Sequence, residues 1–499
     1  MIHSGALLRP HEHVATLRPM DEQHSPLDIS PEQMREMGYL VIDRLVDRHA
    51  NMRAARVWTG ATRADLDARL HDAAPAAGVD FQSALGRLFE DVLTFGARVD
   101  HPRFMAFVPG APTWPAVLGD LIAAGTNTFQ GTWLASSGAS TLELVVIDWF
   151  KDWLHCDAAA AGLLVSGGSV ANLTALATAR LARCDLPHDR ATLYWSTETH
   201  SSVLRAARTL GFPDSRIIQL PVDAEQRIDP GELRSAIERD RAAGLVPLAV
   251  VANAGTTSTG SVDDMHEIAN VCADVGAWLH VDAAYGGFAV LTERGAAALR
   301  GIERADSIAL DPHKWLYQPF EVGCLLVRDP TLLDQAFGIM PPYLQDTTLP
   351  AHDPATSLHK GPLPVNFASR GIQLTRAARA FKIWLSIQTL GLDAFRSAID
   401  RCLDLAAWAE QRIAASSRLE IVTPARLGIV CFRIRADHDL AEKINRAALD
   451  SLIESGHAMI SSTRVDGHFT LRICVLNYRT GPEDSERVIA WFESFAMTA

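Results

Sequence analysis

The sequence predicts an α/β fold whose mostly parallel sheet carries helices on both faces. From Leu163 onward, short apolar runs alternate with helical segments, and such alternation is typical of a parallel sheet covered by helices. The residues from 382 onward instead mix helices with strands of alternating polarity, as in the stretch through Ile429, Cys431 and Arg433. This second pattern predicts a small α+β domain at the C-terminal end.

Individual elements follow from the same patterns. Buried strands are predicted at Leu163–Val165, Thr192–Trp195, Ile217–Leu220, Leu248–Ala252, Trp278–Val281, Ser307–Leu310 and Cys324–Val327. Helices are predicted between several of them, at 170–183, 201–210, 230–242 and 263–275, with a longer one near 374–390. The final domain should contain a second alternating strand through Thr470, Arg472 and Cys474.

A helix is also predicted before the sheet region. Ser30-Pro31-Glu32 has a serine cap and a proline in the first turn, which is typical of a helix start. An apolar stripe at helical spacing follows, made of Met34, Met37, Leu40, Val41, Leu45 and Val46. Such a helix could pack on another subunit or on its own core.

Composition excludes several classes of protein. With 499 residues, of which 48% are hydrophobic, the chain can bury a large core in two or three domains. The formal charge of -13 argues against nucleic acid or a membrane surface as the main partner. We see no secretory signal and no run of transmembrane length. Seven scattered cysteines favour reduced thiols over disulfides or zinc, so we expect a cytoplasmic protein without a metal site.

One lysine stands at the edge of a predicted strand. Asp311-Pro312-His313-Lys314-Trp315 follows the apolar run Ser307–Leu310. Lysine is seldom buried without a function, and a desolvated lysine is suited to bonding with an aldehyde. For Lys314 taken alone, an amine that extends to solvent is the simpler interpretation.

A carboxylate occupies the corresponding end of the preceding strand. Asp282 lies within Leu279–Gly287, at the strand end where open α/β sheets bind ligands. A carboxylate there could hold a pyridine nitrogen protonated. Taken alone, Asp282 would more simply cap the following turn.

Three further loops follow predicted strands. Ser166-Gly167-Gly168-Ser169 precedes a helix and could bind a phosphate through backbone N–H groups, although similar turns occur in ordinary loops. Gly255-Thr256-Thr257 offers hydroxyls in the same layer. His200, in Thr199-His200-Ser201-Ser202, could stack on a flat ring or carry a proton, or could simply cap its helix.

These groups together match one cofactor. A ring with an aldehyde, a pyridine nitrogen and a phosphate requires a lysine, a carboxylate, an anion-binding turn and a stacking group. That description fits pyridoxal phosphate (PLP), which we therefore predict as the cofactor.

From about Pro31 to its C-terminus the chain resembles the group II PLP-dependent decarboxylases, of which aromatic L-amino acid decarboxylase is the type. The motifs that carry the resemblance are His101-Pro102-Arg103-Phe104, Leu142-Glu143 with Asp148-Trp149, His200-Ser201-Ser202-Val203, Gly255-Thr256-Thr257, His280-Val281-Asp282-Ala283-Ala284-Tyr285 and Pro312-His313-Lys314-Trp315.

The resemblance implies the aspartate-aminotransferase-like fold (PLP fold type I) and a homodimer with active sites at the subunit interface. It implies an N-terminal helical segment at 1–113 that wraps the partner, a large PLP-binding domain at 114–381 and a small domain at 382–499. It also implies that Lys314 forms the Schiff base with PLP, that Asp282 binds the pyridine nitrogen and that His200 covers the ring. Further cofactor contacts are implied for Gly168, Ser169, Thr257, Ala284 and His313.

A loop tyrosine separates two chemistries. Met340–Asp346 resembles the mobile catalytic loop of the family, whose tyrosine, here Tyr343, protonates the carbanion after carbon dioxide leaves. In related aldehyde synthases this tyrosine is often phenylalanine, or the stacking histidine is asparagine. Tyr343 and His200 therefore favour decarboxylation of an L-amino acid, with an aromatic one as the leading substrate.

Several alternatives stay open at this point. They are an oxidative aldehyde synthase, a decarboxylase of a non-aromatic amino acid, an aminotransferase, and a protein that only binds the cofactor. Three departures from the family pattern bear on the site. Thr375 stands where the aromatic-specific members usually have glycine and would narrow one wall of the pocket, and Gly131 stands where some members carry phenylalanine and would widen another. Asp311 stands where many members carry asparagine.

Overall fold

The computed structural model describes residues 25, 27–108, 110–183, 189–339, 342 and 364–496. Tyr343 and most of the predicted catalytic loop therefore lie outside the described residues. The described residues form two compact units. One comprises the residues up to Met52 together with Ala64–Thr94, and the other comprises Arg53–Arg63 and the residues from Phe95 onward.

Within the described residues, the helices are α1 Pro31–Ala50, α2 Arg63–Leu70, α3 Phe81–Arg87, α4 Trp114–Gly125, α5 Trp133–Trp153, α6 Gly168–Ala182, α7 Ser201–Thr209, α8 Pro230–Ala242, α9 Met265–Val275, α10 Glu293–Ala298, α11 Pro312–Trp315, α12 Thr331–Phe337, α13 Ala380–Leu390, α14 Leu392–Ala414, α15 His438–Ser455 and α16 Pro482–Ser494. The strands are β1 Trp58–Thr59, β2 Gly96–Ala97, β3 Phe104–Met105, β4 Ala161–Val165, β5 Ala191–Ser196, β6 Ile217–Leu220, β7 Val246–Asn253, β8 Trp278–Ala283, β9 Ser307–Leu310, β10 Gly323–Val327, β11 Leu419–Arg426, β12 Ile429–Ile434, β13 Met459–Val465 and β14 His468–Cys474.

The smaller unit is built around α1. This helix begins at Ser30, whose hydroxyl accepts a hydrogen bond from the Gln33 N–H while the Gln33 side chain accepts one from the Ser30 N–H. The two bonds satisfy backbone donors that a helix start leaves free. No residue of α1 is buried, so its apolar stripe stays accessible in the single chain.

A seven-stranded sheet forms the centre of the larger unit, with strand order β4-β10-β9-β8-β7-β5-β6. All pairs are parallel except those of β10, which runs antiparallel to both β4 and β9. All seven strands coincide with predicted ones. Strands β5, β8 and β9 are buried at every position, which shows that both faces of the sheet are covered and explains their uninterrupted apolar composition.

The direction of the strands decides where their ends meet. Strands β4 and β9 run the same way because both are antiparallel to β10, and β5, β7, β8 and β9 are parallel to one another. The loops that follow these five strands therefore meet at one edge of the sheet. In the register of the sheet, Asn253 pairs with Asp282 and Ala283 pairs with Leu310.

The second sheet has five strands in the order β11-β12-β14-β13-β3. Its C-terminal strands are antiparallel and include the two predicted alternating strands. Strand β3 joins the edge in parallel with β13, through Phe104↔Met459 and Met105↔Ile460. This pairing joins residues more than three hundred positions apart along the chain, which periodicity cannot indicate.

One predicted helix is wrong in its start. Helix α13 begins at Ala380, whereas we predicted a helix from residue 374. The residues between are held by tertiary contacts: the Arg376 carbonyl accepts a hydrogen bond from the Gln130 N–H at 3.0 Å, and the Arg376 guanidinium reaches a buried carboxylate described below. Among the described residues, none of the helices is both long and apolar enough to cross a membrane.

Candidate active site

A cavity of about 420 Å³ lies at the edge where the parallel strands end. The predicted site residues that the structure describes all line it: Gly168, Ser169, His200, Thr257, Asp282, Ala284, His313 and Lys314. Chain direction alone thus gathers residues from four separate strand ends and a glycine turn. Tyr343, the remaining predicted residue, lies outside the described part of the chain.

Lys314 is held at the cavity by a short helix. Strand β9 ends at Leu310, and α11 begins at Pro312, whose fixed φ suits the first helical position. The Lys314 N–H donates to the Asp311 carbonyl at 2.9 Å, and the fully buried Trp315 anchors the end of the helix. The backbone of Lys314 is therefore fixed while its side chain points into the cavity.

Asp311 gives Lys314 a counter-ion. The Asp311 side chain is buried, with Oδ2 3.0 Å from Lys314 Nζ and 3.5 Å from His313 Nε2. His313 Nδ1 lies 2.7 Å from the Val322 carbonyl, to which it donates. Burial lowers the pKa of His313, which favours a neutral ring. The Asp311 carboxylate, which departs from the asparagine of the family pattern, therefore lies inside the cavity and is paired with Lys314.

Asp282 is fixed in orientation by two donors. Its Oδ2 accepts a hydrogen bond from Asn172 Nδ2 at 2.9 Å, and its Oδ1 accepts one from the Ala284 N–H at 3.2 Å. Asp282 lies at the end of β8 with 7% of the residue's surface exposed. A carboxylate held in this way can present its charge to a cationic group in the cavity.

Asn172 connects Asp282 to two histidines, one on each side. Because a carboxylate only accepts hydrogen bonds, the atom of Asn172 that faces Asp282 must be the amide nitrogen. The same nitrogen donates to Ser202 Oγ at 3.0 Å. The Asn172 carbonyl oxygen therefore faces His280 Nε2, at 2.9 Å, and His280 Nε2 must carry a proton.

The contacts of the other ring nitrogen of His280, Nδ1, agree with this assignment. Burial lowers the pKa of His280 to about 4, so its ring is neutral at pH 7 and Nδ1 is an acceptor. The Ser307 hydroxyl lies 2.8 Å from that nitrogen and accepts a hydrogen bond from Trp278 Nε1 at 2.8 Å. In the series of hydrogen bonds that runs from Trp278 through Ser307 and His280 to Asn172, each donor thus has one acceptor.

On the other side of Asn172, Ser202 determines which ring nitrogen of His200 carries the proton. Ser202 Oγ accepts from Asn172, so its own hydrogen is free to point at His200 Nδ1, 2.8 Å away. The Ser202 N–H also faces Nδ1, at 3.3 Å. Desolvation lowers the pKa of His200, and the neutral ring then carries its proton on Nε2, which is not engaged by this network.

The predicted anion-binding turn follows β4. Gly167 caps α6 without a side chain, and α6 begins at Gly168. A Cβ atom on Gly168 would lie 2.8 Å from the Ala284 Cβ and 3.2 Å from Asp311 Oδ2, so only glycine fits this close approach. The first turn of a helix of 15 residues, free of side chains at its start, suits an anion.

Asn253 at the end of β7 organises the neighbouring wall. Its Nδ2 donates to Thr199 Oγ1 at 3.1 Å and to Asp263 Oδ2 at 2.9 Å. The Thr199 hydroxyl thus has a defined partner. Burial raises the pKa of Asp263 to about 6, against backbone and side-chain donors that lower it.

Gly131 and Thr375 do not line the cavity within the described residues. A Cβ on Gly131 would lie 2.7 Å from the Leu374 carbonyl and closer still to the Phe129 ring, so this chain has no room there for a larger side chain. Next to Thr375, Arg376 donates to the Glu143 carboxylate at 2.5 Å and to the Leu164 carbonyl at 2.6 Å. Both ionic side chains are buried.

Sequence reasoning did not single out Asn172, Asn253 or Glu321, which also line the cavity. A signal for Asn172 exists, because it follows Gly168 by one helical turn on α6 and so faces the same way. Nothing in the sequence indicates its partners, since Asp282 and His280 are 110 and 108 positions away.

The residues present fit PLP. A lysine, a fixed carboxylate, a histidine and a glycine turn at a helix start line one cavity, and they correspond to the aldehyde, the pyridine nitrogen, the ring and the phosphate. Residues 64–435 match the pyridoxal-dependent decarboxylase conserved domain. The chain belongs to the pyridoxal-dependent decarboxylase family. It is therefore a PLP-dependent amino-acid decarboxylase of fold type I.

Individual relatives are similar over nearly the whole chain. An aromatic-L-amino-acid decarboxylase of Bacillus atrophaeus is 39% identical over 474 residues, covering 94% of this chain and 97% of that protein. The crystal structure of Oryza sativa TDC with PLP and tryptamine is 29% identical, with a TM-score of 0.88, and covers 95% of this chain and 99% of that one. The crystal structure of Rhodiola rosea 4-hydroxyphenylacetaldehyde synthase is 26% identical, with a TM-score of 0.85 and coverage of 94% and 98%.

Proposed function

We propose that this decarboxylase converts an aromatic L-amino acid to its amine and carbon dioxide. The observation that carries the proposal is the meeting of Lys314, Asp282 and His200 in one cavity beside the Gly167-Gly168 turn. The aromatic substrate class is supported by the relatives, which include the aromatic-L-amino-acid decarboxylase of Bacillus atrophaeus and a tryptophan decarboxylase of Camptotheca acuminata at 31% identity.

Each residue has a proposed role that follows from its contacts. Lys314 holds the cofactor covalently through its amine, and Asp282, oriented by Asn172 and the Ala284 N–H, keeps the pyridine nitrogen protonated. Bound PLP supplies the acceptor for the electrons that remain when the carboxylate leaves. His200 covers the ring and offers its Nε2 proton, and Tyr343 returns a proton to the substrate carbon. Gly168, Ser169, Thr257, Ala284 and His313 complete the cofactor contacts.

The first test is loss of the covalent cofactor link. We expect Lys314→Ala to lose the visible absorbance band of the purified enzyme, because no other predicted site residue carries an amine. Lys443→Ala, which changes an exposed lysine on α15, is the matched control and should keep the band. An unchanged band in the Lys314 variant would show that another group holds the cofactor.

The second test addresses the substrate and the rival reactions. Carbon dioxide release should be fastest with aromatic L-amino acids and should need no keto acid, which an aminotransferase would require. The similarity to 4-hydroxyphenylacetaldehyde synthase makes oxidative aldehyde formation the second candidate. Hydrogen peroxide and ammonia released in step with carbon dioxide would favour that reaction over amine formation.

We also propose a homodimer in which residues 1–113 wrap the partner, residues 114–381 bind PLP and residues 382–499 form the small domain. The proposal is supported by α1, where Met34 is 58% and Val46 48% exposed although both belong to the apolar stripe. A contiguous apolar helix face is typical of an interaction surface. Sedimentation should give twice the chain mass, and Met34→Glu with Val46→Glu should shift the enzyme toward the monomer.

A cytoplasmic location is proposed on the state of the thiols. The cysteines within the described residues are all unpaired, and five of them are buried: Cys272, Cys324, Cys402, Cys431 and Cys474. Unpaired buried thiols persist in reducing compartments.

A further inference from the structure

The residues after β3 lead from the second sheet to the wall of the cavity. Strand β3, Phe104–Met105, pairs with β13, and Val108, three residues beyond the strand, lines the cavity. Gly110 then packs against the backbone of α11, where an added Cβ atom would clash with the Lys314 carbonyl oxygen. The position of Val108 is therefore set by contacts that lie before and after it in the chain.

Phe107, the residue before Val108, has an uncommon backbone conformation. Its φ is 53°, in the left-handed region that residues with a side chain seldom adopt. Its side chain offers little compensation, because 59% of Phe107 is exposed. Such a conformation persists only where the surrounding contacts enforce it.

Two side chains of the second sheet hold Phe107 in this conformation. The Ser461 hydroxyl on β13 accepts a hydrogen bond from the Phe107 N–H at 3.3 Å. Arg472 on β14 donates from Nη1 to the Phe107 carbonyl at 2.7 Å and to Ser461 Oγ at 3.2 Å. Both backbone groups of Phe107 are thus bound by residues that lie 354 and 365 positions away in the chain.

Arg472 is buried, with 2% of its surface exposed. Its Nε donates to the Ser258 carbonyl at 3.0 Å, which orients the guanidinium. Within the described residues Arg472 forms no ion pair with a carboxylate, so the cost of burying its charge is offset by its hydrogen bonds. An apolar side chain of similar volume would avoid that cost. The presence of arginine at this position therefore points to the carbonyls that it holds.

Val108 is placed to meet the side chain of the substrate. Among the described residues that line the cavity, the aliphatic side chains are those of Val108 and Ala284, and Ala284 has a proposed contact with the cofactor. The Tyr285 ring packs against Trp315 with ring centroids 5.9 Å apart, and only 3% of Tyr285 is exposed. Val108 thus offers the aliphatic surface that remains for an aromatic substrate.

We propose that Arg472 is a positioning residue for substrate binding. Together with Ser461 it holds Phe107 in the left-handed conformation and so fixes Val108 at the cavity wall that meets the aromatic side chain. This inference rests on the proposed function, in which the substrate is an aromatic L-amino acid. Arg472 is not part of the cavity wall within the described residues, so it acts on the substrate through Phe107 and Val108.

The experiment uses the full-length enzyme saturated with PLP and compares the wild type with Arg472→Met. The first measurement is KM and kcat for the aromatic L-amino acid that the wild type decarboxylates fastest. The second is the inhibition constant of hydrocinnamate, which has a ring and a carboxylate but no amine, so that its binding reports on the wall without the chemistry. Arg464→Met, which removes an exposed arginine from β13, is the matched control.

We expect Arg472→Met to raise KM and the inhibition constant about tenfold, as for the loss of one hydrogen bond from a charged donor. The value of kcat should change by less than about twofold, because the interaction is the same in the ground state and the transition state. Arg464→Met should match the wild type. Unchanged KM and inhibition constant in a folded Arg472→Met enzyme would overturn the inference, and so would a fall in kcat alone.

Replacement of Phe107 separates positioning from general support of the fold. Asparagine adopts the left-handed region more readily than phenylalanine does, so a chain with Phe107→Asn depends less on Arg472. In that background Arg472→Met should raise the inhibition constant by less than about threefold. An equal effect of Arg472→Met in both backgrounds would show that Arg472 does not act through Phe107 and would overturn the inference.

Ser461→Ala provides a second route if Arg472→Met does not fold. It removes the acceptor of the Phe107 N–H and should raise the inhibition constant of hydrocinnamate, whereas Ser462→Ala at the exposed neighbouring position should not. The absence of a rise in Ser461→Ala would overturn the inference. Failure of the wild type to release carbon dioxide from any aromatic L-amino acid is a different result, because it would overturn the proposed function on which the inference rests.

Discussion

The proton on His200 is the feature of the site that can be tested most directly, by replacing Ser202. In the structure Ser202 Oγ lies 2.8 Å from His200 Nδ1 and receives the Asn172 amide hydrogen. Its own hydrogen then donates to Nδ1, which stabilises the neutral ring. Ser202→Ala removes this donor, so the neutral form loses stability and the pKa of His200 should rise.

The size of the shift follows from the energy of one hydrogen bond. A net contribution of about 0.5–1.5 kcal/mol, at 1.36 kcal/mol per pKa unit, gives a rise of about 0.4–1.1 units. The Ser202 N–H, at 3.3 Å from Nδ1, remains in the variant, so the lower half of this range is expected.

The assay is the pH dependence of acylation by diethyl pyrocarbonate, which attacks neutral imidazole. The chain has 18 histidines in all, and peptide mapping separates His200 from the rest. The cofactor-free protein leaves the His200 ring open to the cavity. Ser202→Thr keeps the hydroxyl and should keep the pKa, as should Ser201→Ala at an exposed neighbouring position. A fall in the pKa of His200 would refute the reasoning, because it would mean that Nδ1 donates to Ser202.

Three other substitutions test the remaining parts of the structure. Asn172→Leu should lower the free energy of unfolding by about 2–5 kcal/mol, because His280 Nε2 and Ser202 Oγ both lose their hydrogen bonds to Asn172. Chemical denaturation of the cofactor-free protein measures this change, and a loss below about 1 kcal/mol would contradict the network. Arg376→Met should destabilise by about 3–5 kcal/mol because it leaves the buried Glu143 carboxylate unpaired, and adding Glu143→Gln should recover part of the loss; no recovery would show that the charge is not the cause. Tyr343→Phe should slow amine formation and raise aldehyde and hydrogen peroxide, and unchanged amine turnover would remove the proposed role of Tyr343.

The residues that line the cavity at the strand ends could be predicted because their positions depend on chain direction alone. Asp282 and Lys314 each follow a buried strand, and parallel neighbours bring the ends of such strands to one edge. The glycine turn before α6 joins them because β4 runs parallel to β9, although β10 lies between. No contact between side chains had to be known for this part of the site.

Other parts depend on contacts that periodicity does not contain. We predicted a helix from residue 374, but Arg376 instead turns toward Glu143, 233 positions earlier, and that ion pair keeps the segment out of α13. The predicted effects of Gly131 and Thr375 on the pocket were based on family positions. Within the described residues neither lines the cavity, and Gly131 is enclosed by Phe129 and Leu374.

By itself, the sequence determined which strand ends meet at the cavity, because strand periodicity and the right-handed connections of an α/β fold leave one edge for strand ends. Only the tertiary structure decided how their protons and charges are arranged. Asn172 fixes Asp282 and, through Ser202, the proton of His200, and Asp311 meets both Lys314 and the glycine turn. Hydrogen bonds depend on distances of a few tenths of an ångström between residues far apart in the chain, and packing alone sets those distances.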